Sequence, residues 1–238
     1  MILEEMSWPE IEAGQQLTRT VILPVGATEE HGPHLPTCTD TLQAVEVARE
    51  VARRREVFVA PALPYGVCRS TRGFPGTISI GQEALRSVVY DLLLAFRENG
   101  FECALVLAGH AGSQHMAALA EASQRAVACT DLRVSLVTDF EFIAGMAEAA
   151  GDGHAGEIET SRMLALREDL VKGLPGPNFP PRPAHLIMKD VRHLMGNGIM
   201  GDPSRASKAK GHDLMEAAVQ GVIGVLEELE SYPAPGRR

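Results

Sequence analysis

Along the chain, short apolar runs of strand character alternate with stretches whose apolar residues recur every three or four positions, the pattern of α/β layers around a mainly parallel sheet. Thr20 to Val25 (TVILPV) is a continuous apolar run closed by Gly26 and suits a buried strand. A helix is predicted from Thr39 or Thr41, either placed to cap it, to about Arg54. Its apolar face is Leu42, Val45, Ala48, Val51 and Ala52, and Glu50 stands four residues before Arg54. Val57 to Ala60 reads as a second strand, and Gly73 to Ile80 (GFPGTISI) as turns running into a short strand. Gln82 to Glu98 is a strong helix stopped at Asn99-Gly100, with Leu85, Val88, Val89, Leu92, Leu93 and Phe96 on one face. Cys103 to Leu107 is the next strand, Ser113 to Ala128 the next helix and Leu132 to Val137 the strand after it. Helices are predicted again at Glu157 to Leu166 and at Ala206 to Leu229, with a surface or subunit-contact loop at Gly173 to Pro183, which carries five prolines, and a fraying tail from Tyr232. The pattern predicts a single domain over 1–238 with no linker or internal repeat.

Composition narrows the classes. At 45% hydrophobic and 22% charged residues, the 238-residue chain has the balance of a globular domain, which excludes disorder and collagen-like structure. A net charge of -9 with no basic run argues against nucleic acid or an anionic membrane as the main partner. Cys38, Cys68, Cys103 and Cys129 form no CxxC pair, so they read as reduced, mostly buried thiols rather than a disulfide framework or a zinc knuckle. The N-terminus is acidic where a signal peptide is basic, and no apolar run approaches the roughly 18 residues of a membrane span. A cytoplasmic protein is expected.

Metal-binding residue types gather where predicted strands end, the place at which open α/β sheets hold ligands. Glu29 and His31 follow the first strand with Asp40 close behind, a carboxylate, imidazole and carboxylate set suited to Zn, Mn or Fe(II). His110 lies between small residues (Ala-Gly-His-Ala-Gly) after the Cys103 strand. His154, Glu157 and Glu159 stand at the start of a helix, where acids also complement the helix dipole. Each cluster alone is as readily a solvated loop; three at strand-to-helix junctions of one small domain point to a metal centre. His34 is placed to line the pocket, while His115, His185, His193 and His212 read as structural or peripheral. Gly196 to Gly201 has the spacing GxGxxG but runs into Asp202-Pro203 and not into a helix, so it is no dinucleotide fingerprint. No GxSxG, phosphate loop or HExxH occurs.

These residues resemble the creatininase (creatinine amidohydrolase) family of metal-dependent amide hydrolases. LPVGATEEHGPHLPTCTD is similar to the family's opening metal motif, GFPGTISI to its Gly-Phe-Pro-Gly-Thr segment, LAGHAGSQH to its Asn-Gly-His-Gly-Gly-Asn loop and GHAGEIETS to its His-Ala-Gly-Glu-x-Glu-Thr-Ser motif. GIMGDPSRAS resembles a late segment. The resemblance implies a three-layer α/β/α sandwich, commonly hexameric, with two divalent metals per subunit. It puts Glu29 and His110 on one metal, His31 on the other and Asp40 between them. The family's further glutamate, two residues after the histidine, is Gly112 here, and Glu157 is its natural replacement. His154 and Glu159 match pocket residues for substrate binding and proton transfer, His154 being placed to protonate the leaving nitrogen.

The implied activity is hydrolysis of a C–N bond in a cyclic or linear amide, formamides included, by a metal-activated water. Creatininase proper lines its pocket with tryptophans, and the sole tryptophan here is Trp8, so creatinine is not the expected substrate. A peptidase trimming a short modified peptide, as with the mycofactocin precursor, is the alternative within the family. A metal-binding subunit without catalysis is the alternative outside enzymes. Arg69 and Arg72 either grip a phosphate or carboxylate of the substrate or pair with an acid at a subunit contact.

Overall fold

The computed structural model describes residues 1–181, 185 and 191–233. Its elements are α1 (Trp8–Gly14), β1 (Thr20–Val25), α2 (Thr39–Arg54), β2 (Phe58–Val59), α3 (Gln82–Glu98), β3 (Cys103–Ala108), α4 (Ser113–Cys129), β4 (Arg133–Thr138), α5 (Glu157–Arg167), α6 (Arg192–Met195) and α7 (Lys208–Ser231). The four strands pair in the order β2-β1-β3-β4, all parallel. In β1 and β3 every residue is buried, as continuous apolar runs in a doubly covered sheet must be.

Because side chains alternate along a strand, the sheet feeds two cores. Ile22, Leu105, Leu107 and Val137 pack with Ala44, Val47, Ala48 and Val51 of α2, Ile158 of α5 and Leu214, Ala218, Val222 and Leu226 of α7. Val21, Leu23, Val25, Ala104 and Val106 pack on the other face with Leu85, Val89 and Leu93 of α3 and Leu119, Ala122 and Ala126 of α4. The result is the three-layer α/β/α sandwich. From β1 the chain winds outward to β2, and from β3 outward to β4, so the strand order reverses between β1 and β3. That switch point opens a crevice at the carboxyl ends of the strands.

Three local expectations are corrected. The buried stripe of α2 is Asp40, Gln43, Ala44, Val47, Ala48 and Val51, not the Leu42–Val45 face. A helix has one inward face, and here it must serve both the core and the crevice. Neither Thr39 nor Thr41 caps α2: their hydroxyls donate to the carbonyls of Pro36 and Ala27 instead. Thr77 to Ile80 form no strand, although the Ile78 and Ile80 amides bond the Thr28 and Gly66 carbonyls and so lay this segment beside the Glu29 loop. All four cysteines are free, with Cys68 and Cys103 buried but Cys38 and Cys129 exposed. The predicted loop at 173–183 has little regular structure as far as residue 181, and its last two residues, like the tail from 234, lie outside the described residues. Among the described residues no helix is long and apolar enough to cross a membrane.

Candidate metal centre

The loop after β1 turns back over the end of the sheet and buries Glu29, Glu30, His31 and His34, each less than a tenth exposed. Asp40 follows in the first turn of α2, facing inward at the end of that helix's buried stripe. His110 comes from the loop after β3. Gly109 makes this meeting possible: a Cβ there would lie 2.1 Å from the Asp40 carbonyl, so only glycine lets the β3 loop press on the start of α2. His154 and Glu159 arrive from the entry and first turn of α5.

Asp40 is the hub. Its Oδ1 lies 3.0 Å from His31 Nε2 and its Oδ2 3.2 Å from His110 Nδ1. His31 Nε2 also faces Glu159 Oε1 at 3.5 Å, and His110 Nδ1 faces Glu29 Oε2 at 2.9 Å. The second nitrogen of each ring is tied to a backbone carbonyl, His31 Nδ1 to Glu29 O at 3.1 Å and His110 Nε2 to Val67 O at 3.2 Å. A carbonyl only accepts, so these contacts place a proton on the outer nitrogen, and the inner one, once its own proton is displaced, would be free to donate a lone pair to a metal, the usual support of a ligating histidine. Thr71 donates to Glu29 Oε1, and the Ala155 amide, from a residue at φ +50°, donates to Glu159 Oε2.

The electrostatics point the same way. Glu29, Asp40 and Glu159 are buried, and their ion-pair partners among the described residues are histidines. Burial pushes the His31 and His110 imidazoles toward neutrality, but the facing carboxylates prevail and raise both well above the ordinary histidine value. The same pairing, against burial, holds Glu29, Asp40 and Glu159 below the usual carboxylate range. Protons on the histidines thus do what a cation between them would do. Glu29 Oε2, His31 Nε2 and Asp40 Oδ2 are buried yet take part in no well-directed hydrogen bond. They face one another across a shared space without a directed hydrogen bond, and such buried donors fit a metal ion. Among the described residues, three sets of ligand atoms lie within 4.8 Å of one another: Glu29, Cys68 and His110; Glu29, His31 and His154; and His31, Asp40 and Glu159.

Glu157 departs from expectation. Its carboxylate accepts from the Glu148 and Ala149 amides at 3.0 Å and pairs with Lys210, so it supports the start of α5 and does not enter the cluster; Glu159 faces His31 in its stead. On a helix, residues two apart project about 200° from each other, so both glutamates cannot face one ion. His34 is buried, with Nε2 on Thr160 Oγ1 at 2.8 Å and burial together with the His31 charge lowering it to about 4. Arg69 and Arg72 are exposed and line a separate surface depression with Ser79, Gln82 and Gln114. His115 lies under the site, its ring edge-on to His110 with centroids 4.9 Å apart. Trp8 is 75% exposed on α1.

Sequence reasoning missed Glu30, Cys68 and Thr71, and did not place the glycine run at 196–201 beside the site. His154 Nε2 bonds the Glu30 carbonyl at 2.9 Å and lies 3.5 Å from Glu30 Oε1. Met200 pairs with His154 through backbone bonds, and Gly198 packs on the Glu30 carboxylate. The resemblance of this stretch to a late family segment was the signal that could have found it.

Fold and cluster together define an α/β protein with a buried carboxylate and imidazole centre at its sheet's switch point. The creatininase model, described as creatinine amidohydrolase, matches residues 4–226. Creatinine amidohydrolase of Pseudomonas putida is 29% identical, the alignment covering 94% of this chain and 95% of that one. The mycofactocin precursor peptide peptidase of Mycolicibacterium smegmatis is 34% identical over 84% and 81%. A solved structure described as "Creatininase Mn" superimposes with a TM-score of 0.88 at 27% identity, covering 98% of this chain and 99% of that one. The chain belongs to the creatininase family.

Proposed function

We propose that this chain is a metal-dependent hydrolase that cleaves a C–N amide bond of a small molecule, with two divalent ions, Zn, Mn or Fe(II), held at the Asp40 cluster. The observation that carries the reading is the division of Asp40 between two histidines, one carboxylate oxygen to each. Glu29, His110 and Asp40 Oδ2 would hold one ion; His31, Glu159 and Asp40 Oδ1 the other. When bound, such ions acidify a water and polarise a carbonyl.

The remaining groups follow from their placement. His154, beside His31 with ring centroids 4.4 Å apart, donates Nε2–H to the Glu30 carbonyl, which orients the ring. The charges of Glu30, Glu29 and Glu159 outweigh burial and His31 and raise it above the ordinary histidine value. Its place beside His31 at the centre suits it to protonate the leaving nitrogen as general acid. His34, with Nδ1 unpartnered in the same pocket wall, contacts substrate. Arg69 and Arg72 bind an anionic group only on a substrate long enough to reach the outer depression.

The family contains both a creatinine amidohydrolase and a precursor-peptide peptidase, so the assay panel holds cyclic amides, formamides and short peptides. Two metals per subunit by elemental analysis, and turnover abolished by chelator and restored by metal, are the expected results. One metal or none after reconstitution removes the two-ion reading, and turnover that survives metal removal removes metal dependence.

A further inference from the structure

We propose that Cys68 is a thiolate ligand of the Glu29–His110 half of the centre, which makes that half selective for zinc over manganese. The inference rests on the metal-centre reading above and deepens it. Cys68 is fully buried, and its Sγ lies with a Glu29 carboxylate oxygen and a His110 ring nitrogen in a set whose members are all within 4.8 Å of one another. Glu29 Oε2, in a side chain only 4% exposed, takes no well-directed hydrogen bond. A buried carboxylate with an open lone pair, beside a histidine whose outer nitrogen is already committed to a carbonyl, points to a cation there independently of the cysteine.

The backbone around Cys68 is also built as a support. The Val67 carbonyl accepts from His110 Nε2 at 3.2 Å, the Val67 amide donates to His115 Nδ1 at 3.3 Å, and the Cys68 amide donates to Ser79 Oγ at 2.9 Å. Ligand and cysteine are therefore held to the same peptide, the one between Val67 and Cys68. Cys38, Cys103 and Cys129 belong to none of the three ligand sets. On binding, the S–H bond breaks, a sulfur–metal bond forms and the proton leaves to solvent. Thiolate is a soft donor that zinc and cobalt accept and manganese, which prefers oxygen, does not.

Cobalt substitution of the wild-type protein separates this proposal from the one beneath it. Visible d–d bands report that the centre binds a divalent ion, and a near-ultraviolet charge-transfer band reports sulfur on it. Both are expected in wild type, and Cys68→Ser is expected to keep the first and lose the second, with its preference for zinc over manganese reduced at least tenfold. X-ray absorption of the zinc-loaded wild type needs no variant and is expected to show sulfur at about 2.3 Å. Visible bands without charge transfer, or zinc with only oxygen and nitrogen neighbours, overturn the cysteine ligand and leave the metal centre standing. No visible bands overturn the metal-centre reading and the ligand with it.

Discussion

Glu157 and Glu159 stand two residues apart in the first turn of α5, and their carboxylates serve different neighbours. Glu159 faces His31 in the centre, whereas Glu157 is bound by Lys210 of α7 and two backbone amides. Glu157 is thus a clamp between α5 and α7, and Glu159 is the carboxylate that joins the Asp40 cluster.

The two glutamates should separate experimentally. Glu157→Gln is expected to keep two metals per subunit and to lower stability by about 1–3 kcal/mol, the scale for hydrogen bonds to a buried charge. Glu159→Gln should lose one metal with a smaller effect on the apoprotein. Elemental analysis with urea unfolding reads both, and metal lost from Glu157→Gln would return that residue to the centre.

Metal removal should itself destabilise the fold. Candidate ligands from the loops after β1 and β3 and from α2 and α5 converge on the Asp40 cluster, so an ion bound there only by the folded state would add about 2.7 kcal/mol at one hundred times its dissociation constant. For a chain of this size that is roughly 5–10 °C in Tm. Differential scanning calorimetry of apo, zinc and manganese forms checks it, and equal Tm values would mean that the ions do not bind the native state.

Much of this arrangement was legible beforehand because the signals are local. The apolar runs gave every strand, and Glu29, His31, Asp40 and His110 follow those runs directly. The inward turn of Asp40 was not read, because the stripe that carries it, Gln43, Ala44, Val47, Ala48 and Val51, includes a polar residue and the more apolar Leu42–Val45 face was taken in its place. What could not be read was side-chain direction at a helix start. Glu157 and Glu159 both match an acidic first turn, and only the position of Lys210, 53 residues on, decides between them. Glu30, Cys68 and Gly198 were missed because each acts through a partner distant in sequence.

Stability should fall at both extremes of pH for reasons outside the centre. Arg54 and then Gln220 hold the Glu216 carboxyl down to about 2. A lowered carboxylate contributes stability above its unfolded value, roughly 4.3, that is lost as pH falls through the folded one. Burial pulls Lys210 down, but Glu148 and Glu157 overrule it and raise it. Its contribution is present below roughly 10.4 and lost as pH rises through the folded value. Glu216→Gln should flatten the acid limb of a urea midpoint against pH profile, modestly because the pair is exposed, and Lys210→Met the alkaline limb.

His154→Ala should lower kcat by about 10²-fold or more with both metals retained, as for loss of a general acid. The acid limb of the kcat profile should persist and the alkaline limb, which reports the proton held by His154, should disappear. A kcat within about threefold of wild type would remove the role.

Gly198 offers the sharpest test of how the glycine run serves the site. Its φ is +81°, and a Cβ would stand 2.1 Å from Glu30 Oε2. Glu30 accepts from the Gly32 amide through that same oxygen at 2.8 Å, and its carbonyl holds His154. Gly198→Ala therefore costs about 1–3 kcal/mol in backbone strain and displaces the Glu30 carboxylate, whose Oε1 lies 3.5 Å from His154 Nε2. The expected outcome is a fall in kcat with metal content unchanged. Gly224, inside α7 and with open space where a Cβ would go, is the matched control. Gly224→Ala should stabilise by about 0.5–1 kcal/mol through helix propensity alone and leave kcat as it was. If both variants retain full activity, Glu30 does not position His154, and the orientation of that ring must come from elsewhere in the pocket.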